Sequence, residues 1–228
     1  MRGEAFLEDR ADAGRRLAAG LAGYGDEDPI VLALPRGGVP VGAEVSRSLG
    51  APLDVFIARK LGAPEQPELG IGAVAQGGVL VLNERIVRAL GLSEEHVRRA
   101  AEEELREVGR RLRLLRGERP EPPVDGRTVI LVDDGLATGA TARAAVVAMR
   151  ERGPRRIVLA VPVCPPRTAE LLRPEVDELV VLRTPKDFYA VGSYYADFEQ
   201  VTDEEVVRLL EQARTERGEP GPGDASQR

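Results

Sequence analysis

The sequence predicts an α/β fold with a mainly parallel sheet of about five strands flanked by helices. Three features of the 228 residues carry this. Apolar runs of strand length recur along the chain. Each lacks the polar alternation of a sheet with one wet face, so its strand is buried on both sides. Segments with helical spacing follow the runs, and Gly- and Pro-containing turns lie between them, as parallel crossovers require.

Taken in order, Phe6 to Tyr24 places Leu7, Ala11, Gly14, Leu17, Ala18 and Leu21 near helical spacing, which predicts an amphipathic helix. Pro29 to Leu34 reads as the first strand, Pro35-Arg36-Gly37-Gly38-Val39-Pro40 as its exit loop, and Val41 to Leu49 as a helix. Further strands are expected at Leu53 to Ala58, Val79 to Leu82, Val129 to Val132, Ile157 to Val161 and Glu178 to Leu182. Ser93 to Arg116 breaks the alternation with a long helix whose apolar stripe runs through Val97, Ala101, Leu105, Val108, Leu112 and Leu115. Ser93 caps it, and His96, the only histidine, lies in its first turn. The expected domain spans residues 1–212, with the inserted helix at 93–116 and a small C-terminal hood at 183–200. The polar stretch 213–228 reads as a disordered tail.

Composition narrows the function classes. A net charge of −6 argues against a general nucleic-acid surface. The apolar runs are too short to cross a membrane and no secretory leader is evident, so a soluble, cytoplasmic protein is expected. The single cysteine, Cys164, ends an apolar run and reads as a buried thiol. Nearly all cations are Arg, and Lys60 and Lys186 are the only lysines.

Chemistry concentrates in Val129 to Thr141, VILVDDGLATGAT. Asp133 and Asp134 arrive where a buried strand leaves the sheet. Ala137, Thr138, Gly139, Ala140 and Thr141 then lead into the helix Ala142 to Arg150. Small residues there let backbone N–H groups approach an anion, with each charge-assisted bond contributing about 1.5–3 kcal/mol. The carboxylates repel that anion and call for hydrogen-bond donors such as vicinal hydroxyls. A phosphate beside a diol describes a ribose 5-phosphate. No Lys follows the glycines, which excludes a Walker A loop, and the GxGxxA of Gly70 to Ala75 lacks a preceding strand signal.

VILVDDGLATGAT resembles the phosphoribosyl pyrophosphate (PRPP) signature of the type I phosphoribosyltransferases. The resemblance implies their Rossmann-like fold and transfer of ribose 5-phosphate from PRPP to a nitrogenous acceptor, a nucleobase by analogy, with release of pyrophosphate. A PRPP-sensing regulator or binding module is the alternative. The resemblance gives Asp133 and Asp134 the ribose hydroxyls and residues 137 to 141 the 5-phosphate. Arg36, Gly37 and Gly38 resemble the family's pyrophosphate loop, with a non-proline cis peptide expected near Arg36-Gly37. Arg59 and Lys60 stand where the family has a pyrophosphate-contacting lysine. Asp133, Asp134, Lys60 and Arg36 are thus the candidate catalytic set. Leu61 to Gly78 matches the mobile loop that closes over PRPP. Lys186, Phe188, Tyr189 and Asp197 loosely resemble the base-binding hood of hypoxanthine-type members, with the spacing shifted by a residue. Those members carry an acidic proton acceptor where this chain has Ala137, leaving Glu65 and Glu68 as weak substitutes. Mg2+ is the implied cofactor, held through PRPP with Asp133 and Asp134 contacting it through water and no direct protein ligand. A homodimer is the implied assembly.

Overall fold

The computed structural model describes residues 6–64 and 66–218. Its main sheet has five parallel strands in the order β2-β1-β6-β7-β8: β1 (Pro29–Ala33), β2 (Leu53–Val55), β6 (Thr128–Val132), β7 (Arg156–Val163) and β8 (Glu178–Arg183). Every residue of β1 and β6 is buried, as expected of central strands covered on both faces. They pair in parallel from Pro29 with Thr128 to Ala33 with Val132, so the chain leaves both strands side by side.

Alternate residues divide the core. Val31, Ala33, Ile130, Val132, Val158 and Ala160 face α1 (Arg10–Leu21), α2 (Gly38–Leu49) and α7 (Asp203–Glu216). Ile30, Leu32, Val129, Leu131, Ile157 and Leu159 face α5 (Ala140–Arg150) and α6 (Pro166–Leu172). The helix α5 buries Ala142, Ala144, Ala145 and Ala148, small side chains that bring it close to the sheet.

Three expectations change. The strand expected over Leu53 to Ala58 stops at Val55, and the chain leaves the sheet to begin β3 (Ala58–Ala63). Leu61 to Gly78, expected as a loop, lies largely in β3 and β4 (Gln66–Ala75), which form an antiparallel sheet with β5 (Val79–Leu82). Its glycines and prolines mask a buried alternation at Leu61 and Ala63, and Ile71 and Val74 bury against the same core. The helix α7 continues past Gln212 to Glu216; residues 219–228 lie outside the described residues.

The inserted helix α4 (Glu94–Arg116) starts at the cap Ser93, whose hydroxyl accepts from His96 N–H at 3.2 Å. A short helix that the apolar pattern does not predict, α3 (Glu84–Ala89), precedes it. Val97, Ala101, Val108 and Leu115 are the buried apolar positions of α4, which packs on β2, β3, β4 and α7. Its end is pinned by an ion pair: Arg116 Nε lies 2.9 Å from Asp54 Oδ2, with the side chains 7% and 13% exposed. Arg116 Nη2 also donates to Val55 O at 2.8 Å. Burial pushes the Asp54 carboxyl above its usual range, against the pull of Arg116.

Arg116→Met should lower the unfolding free energy by about 3 kcal/mol, because it leaves a buried carboxylate unpaired. Urea denaturation of the two proteins measures this. A loss well under about 1 kcal/mol would mean that the pair behaves as a solvated one.

Candidate functional site

The exits of β1 and β6 define the site, because the loops there emerge next to each other at the carboxyl end of the sheet. After β1, Leu34 N–H still bonds Val132 O at 2.8 Å, and the chain turns through Pro35 to Gly37 into α2. The non-proline cis peptide is Pro35-Arg36, one bond earlier than expected. After β6, Asp133 and Asp134 sit half-buried, and Asp134 N–H donates to Asp133 Oδ1 at 2.9 Å.

The two loops touch through glycine. A Cβ on Gly37 would overlap the Asp134 carboxyl group, and one on Gly38 would stand 2.6 Å from Val132 O. Gly37 and Gly38 are therefore needed to let the first loop lie against the acid pair, whatever else they bind.

Asp134 has two further partners that the sequence does not reveal. Arg10 Nε of α1 donates to Asp134 Oδ2 at 2.8 Å, its side chain only 12% exposed. The same guanidinium donates to Glu199 O at 2.7 Å and lies 3.9 Å from the Phe198 ring centroid. Tyr195, buried, donates its hydroxyl to Asp134 O at 2.6 Å. Burial and then the Asp134 charge push the Tyr195 hydroxyl upward, so it stays protonated and donating.

Burial is the largest cause that raises Asp133 well above the usual carboxylate range, with the Asp134 charge adding to it. Burial also raises Asp134, but the bond to Arg10 opposes the shift. Two coupled carboxyls of this kind titrate as a pair.

The turn beyond the acids is built from below. Leu136 is buried and its N–H bonds Val163 O at 2.9 Å, while Thr168 of α6 donates to Ala137 O at 2.7 Å. Gly139 caps α5 with φ 73°, and a Cβ there would stand 2.7 Å from Thr168 Cγ2. Ala140 N–H contacts Thr138 Oγ1 at 3.4 Å. Ala137, Thr138, Ala140 and Thr141 are exposed except where the turn packs inward, so the start of α5, which begins at Ala140 rather than Ala142, presents itself to an anion.

Two cavities adjoin this turn. One of about 700 Å³ lies between Thr138, Gly139 and Ala140 on one side and β4, β5 and α3 on the other, with Lys60, Arg85, Arg88 and Arg143 on its walls. The second, about 340 Å³, is lined by Pro35, Arg59, Lys60, Arg111 and Thr141. Lys60 reaches both. Arg59 is ion-paired with Glu104 of α4, and Arg36 Nη1 lies 3.9 Å from Asp203 Oδ1 of α7.

The hood residues are less gathered. Phe188 stacks on Tyr194 with centroids 5.7 Å apart, but Tyr189 is 92% exposed and Lys186 and Asp197 face solvent. None of the four lines either cavity. The aromatics brought to the acid pair are instead Tyr195 and Phe198. Glu65 and the side chain of Glu68 lie outside the described residues. Three or more His, Cys, Asp or Glu side chains do not cluster as metal ligands anywhere among the described residues.

A glycine-bounded acid pair beside an exposed helix start thus stands at the carboxyl end of a parallel sheet in an α/β domain. Residues 4–199 match the family model of the phosphoribosyl transferase domain, and the chain belongs to that family. The crystal structure of TT1426 from Thermus thermophilus is similar, with 46% identity and a TM-score of 0.82 over 90% of this chain and 97% of that one. Provisionally named phosphoribosyl transferases from two Mycobacterium tuberculosis strains are each 46% identical over 221 residues, 97% of this chain. The chain spans about half of their length, 50%. Among the described residues, no helix is long and apolar enough to cross a membrane.

A carboxyl whose native pKa lies above its unfolded value supports the native state in acid and withdraws that support as pH rises through the native pKa. Asp133, raised by burial and by Asp134, should therefore destabilise the ligand-free protein at neutral and alkaline pH. Asp133→Asn is expected to raise the melting temperature at pH 8, by about 2–4 °C for each kcal/mol recovered. The gain should shrink as pH falls through the raised native pKa of Asp133 and be gone by the usual aspartate range. A melting temperature that falls at pH 8, or a gain independent of pH, would contradict the assignment.

Proposed function

We propose that the protein transfers ribose 5-phosphate from PRPP to a nitrogen nucleophile and releases pyrophosphate. The observation that carries this is the packing of the Gly37-Gly38 loop against Asp133 and Asp134, beside the exposed turn at the start of α5. One ligand that needs a diol partner between two phosphate cradles fits that arrangement.

In this reading the turn Ala137 to Thr141 holds the 5-phosphate, and Asp133 and Asp134 accept hydrogen bonds from the ribose hydroxyls. The Arg36 loop, Arg59 and Lys60 take the pyrophosphate. The C1–O bond breaks with its electron pair leaving on pyrophosphate, and the acceptor nitrogen forms the new bond to C1. Positive charge that develops on the ribose is met by the potential of the acid pair, placed in advance and shielded from water. Arg10 keeps Asp134 oriented and opposes the upward push of burial on its carboxyl; the cations neutralise the leaving group. Ala137 offers no proton acceptor, so the acceptor proton departs to another group.

Mg2+ suits the donor set. The two recessed carboxylates are oxygen donors of the kind this hard cation takes. Asp133 and Asp134 would hold it through water, and bound there it would offset the charge of the phosphates.

PRPP sensing without turnover is the second reading. It is favoured by the solvent exposure of Lys186, Tyr189 and Asp197, which build no enclosed base pocket among the described residues.

Incubation with PRPP, Mg2+ and a panel of purines, pyrimidines and amines should release pyrophosphate with at least one acceptor. Binding of PRPP with no release above background across the panel would favour the sensing reading. Asp133→Asn combined with Asp134→Asn should reduce PRPP affinity by about 100-fold or more, the loss of several charge-assisted hydrogen bonds. Unchanged affinity in a calorimetric titration would remove the ribose assignment.

A further inference from the structure

We infer that Arg111, on the inserted helix α4, is a pyrophosphate-binding residue, and that Asp203 is the counter-ion that holds it, together with Arg36, when no anion is bound. The inference rests on the reading above and adds a helix and two residues to it.

The cavity of about 340 Å³ carries three cations on its walls, Arg59, Lys60 and Arg111, and no carboxylate. Pro35, from the loop after β1, and Thr141, in the first turn of α5, complete its edge. The counter-charges of Arg59 and Arg111, Glu104 and Asp203, stand outside this lining, so an anion entering the space meets cations first. The first turn of α5, whose dipole favours negative charge, edges the same cavity through Thr141.

Two residues of α4 serve this cavity. Glu104 and Arg111 are seven positions apart, two helical turns, and so share a face. Glu104 pairs with Arg59, and Arg111 enters the lining. Val108 and Leu115, buried at 2% and 1% exposure, hold the helix against the domain. The helix is thus part of the site wall as well as a packing element.

The first turn of α7 supplies the charge that balances it. Asp203 Oδ1 lies 3.9 Å from Arg36 Nη1 and 3.9 Å from Arg111 Nη2. That oxygen is buried and accepts no hydrogen bond among the described residues. A carboxylate oxygen equidistant from two guanidinium groups, and bonded to neither, attracts both without fixing either. A diphosphate has the oxygens to give each guanidinium the direct, charge-assisted bonds that Asp203 leaves unmade. Arg111 and Arg36 can therefore turn to the anion at the loss of a long ion pair only.

The test is a calorimetric titration of the full chain with inorganic pyrophosphate and Mg2+, and separately with ribose 5-phosphate. Arg111→Gln should weaken pyrophosphate binding about 10-fold or more, the loss of one charge-assisted bond, and leave ribose 5-phosphate binding unchanged. Arg111→Lys should retain part of the affinity, since charge survives without the planar fork. Asp203→Asn should act in the opposite direction and tighten pyrophosphate binding severalfold, because both arginines lose their competitor. A merely structural role would weaken binding in both variants. If native protein binds pyrophosphate and Arg111→Gln binds it equally well, the Arg111 assignment fails alone. If Asp203→Asn weakens binding, the counter-ion role fails. If native protein binds neither PRPP nor pyrophosphate, the proposed function falls and this inference with it.

Discussion

Two adjacent carboxylates at the end of a fully buried strand impose the central constraint on this molecule. Asp133 and Asp134 both sit where burial disfavours charge, and the Asp134 charge adds to this at Asp133. The structure answers by surrounding them closely. Gly37 and Gly38 bring the neighbouring loop against them with no side chain between, Arg10 reaches from α1 to one carboxylate, and Tyr195 bonds the backbone beneath it. Elements from both ends of the chain thereby converge on one point. The bridge between Leu7 and Tyr195, with Ala196 and Asp197 N–H bonded to Leu7 and Glu8 carbonyls, lashes the N-terminal segment to the hood beside it.

That convergence explains which parts are legible in the chain. Strands β1, β6 and β7 fall where their apolar runs lie, because a strand covered on both faces must be apolar nearly throughout, and few other structures demand that of five residues. The acid pair and the turn after it are contiguous, so their chemistry survives in one short stretch. Arg10 carries no such signal. It is one Arg among many on an amphipathic helix, and its partner lies 124 residues away. Tyr195 is visible as one of the clustered aromatics, but its bond to Asp134 spans 61 residues and makes it a support of the acid pair.

The hairpin of β3 and β4 escapes the sequence for a different reason. Glycine and proline density is a sound signal of irregular chain when local preference decides, yet here the antiparallel pairing of Ala58 with Ala75 through Leu61 with Gly72 decides. Its base is fixed by Gln76, whose side-chain oxygen accepts from Ile57 N–H at 2.9 Å and whose amide reaches Glu121, itself paired with Arg152. Lys60 lies in β3 close to that anchored root, paired with Ala73 of β4. The inserted helix misleads in the opposite way. Its apolar stripe is plain in the sequence, whereas the cavity-side Glu104 and Arg111 look like ordinary solvated charge.

A common electrostatic arrangement links these pieces. Asp134 is paired with Arg10, Arg59 with Glu104, Arg143 with Glu175, and Arg36 and Arg111 share Asp203. Like charges gathered in one place would repel one another, and the counter-charges balance them in the folded protein. Ligand entry is then an exchange of ion pairs, so affinity depends on the difference between the new contacts and those released. Close pairs such as Arg10 with Asp134 are not given up readily and serve to hold geometry. Long ones, such as those of Asp203, yield to an anion. The distances within the ion pairs thus sort the charged residues into a fixed frame around the acid pair and a set of loosely held cations, the division that the proposed transfer calls for between ribose and pyrophosphate.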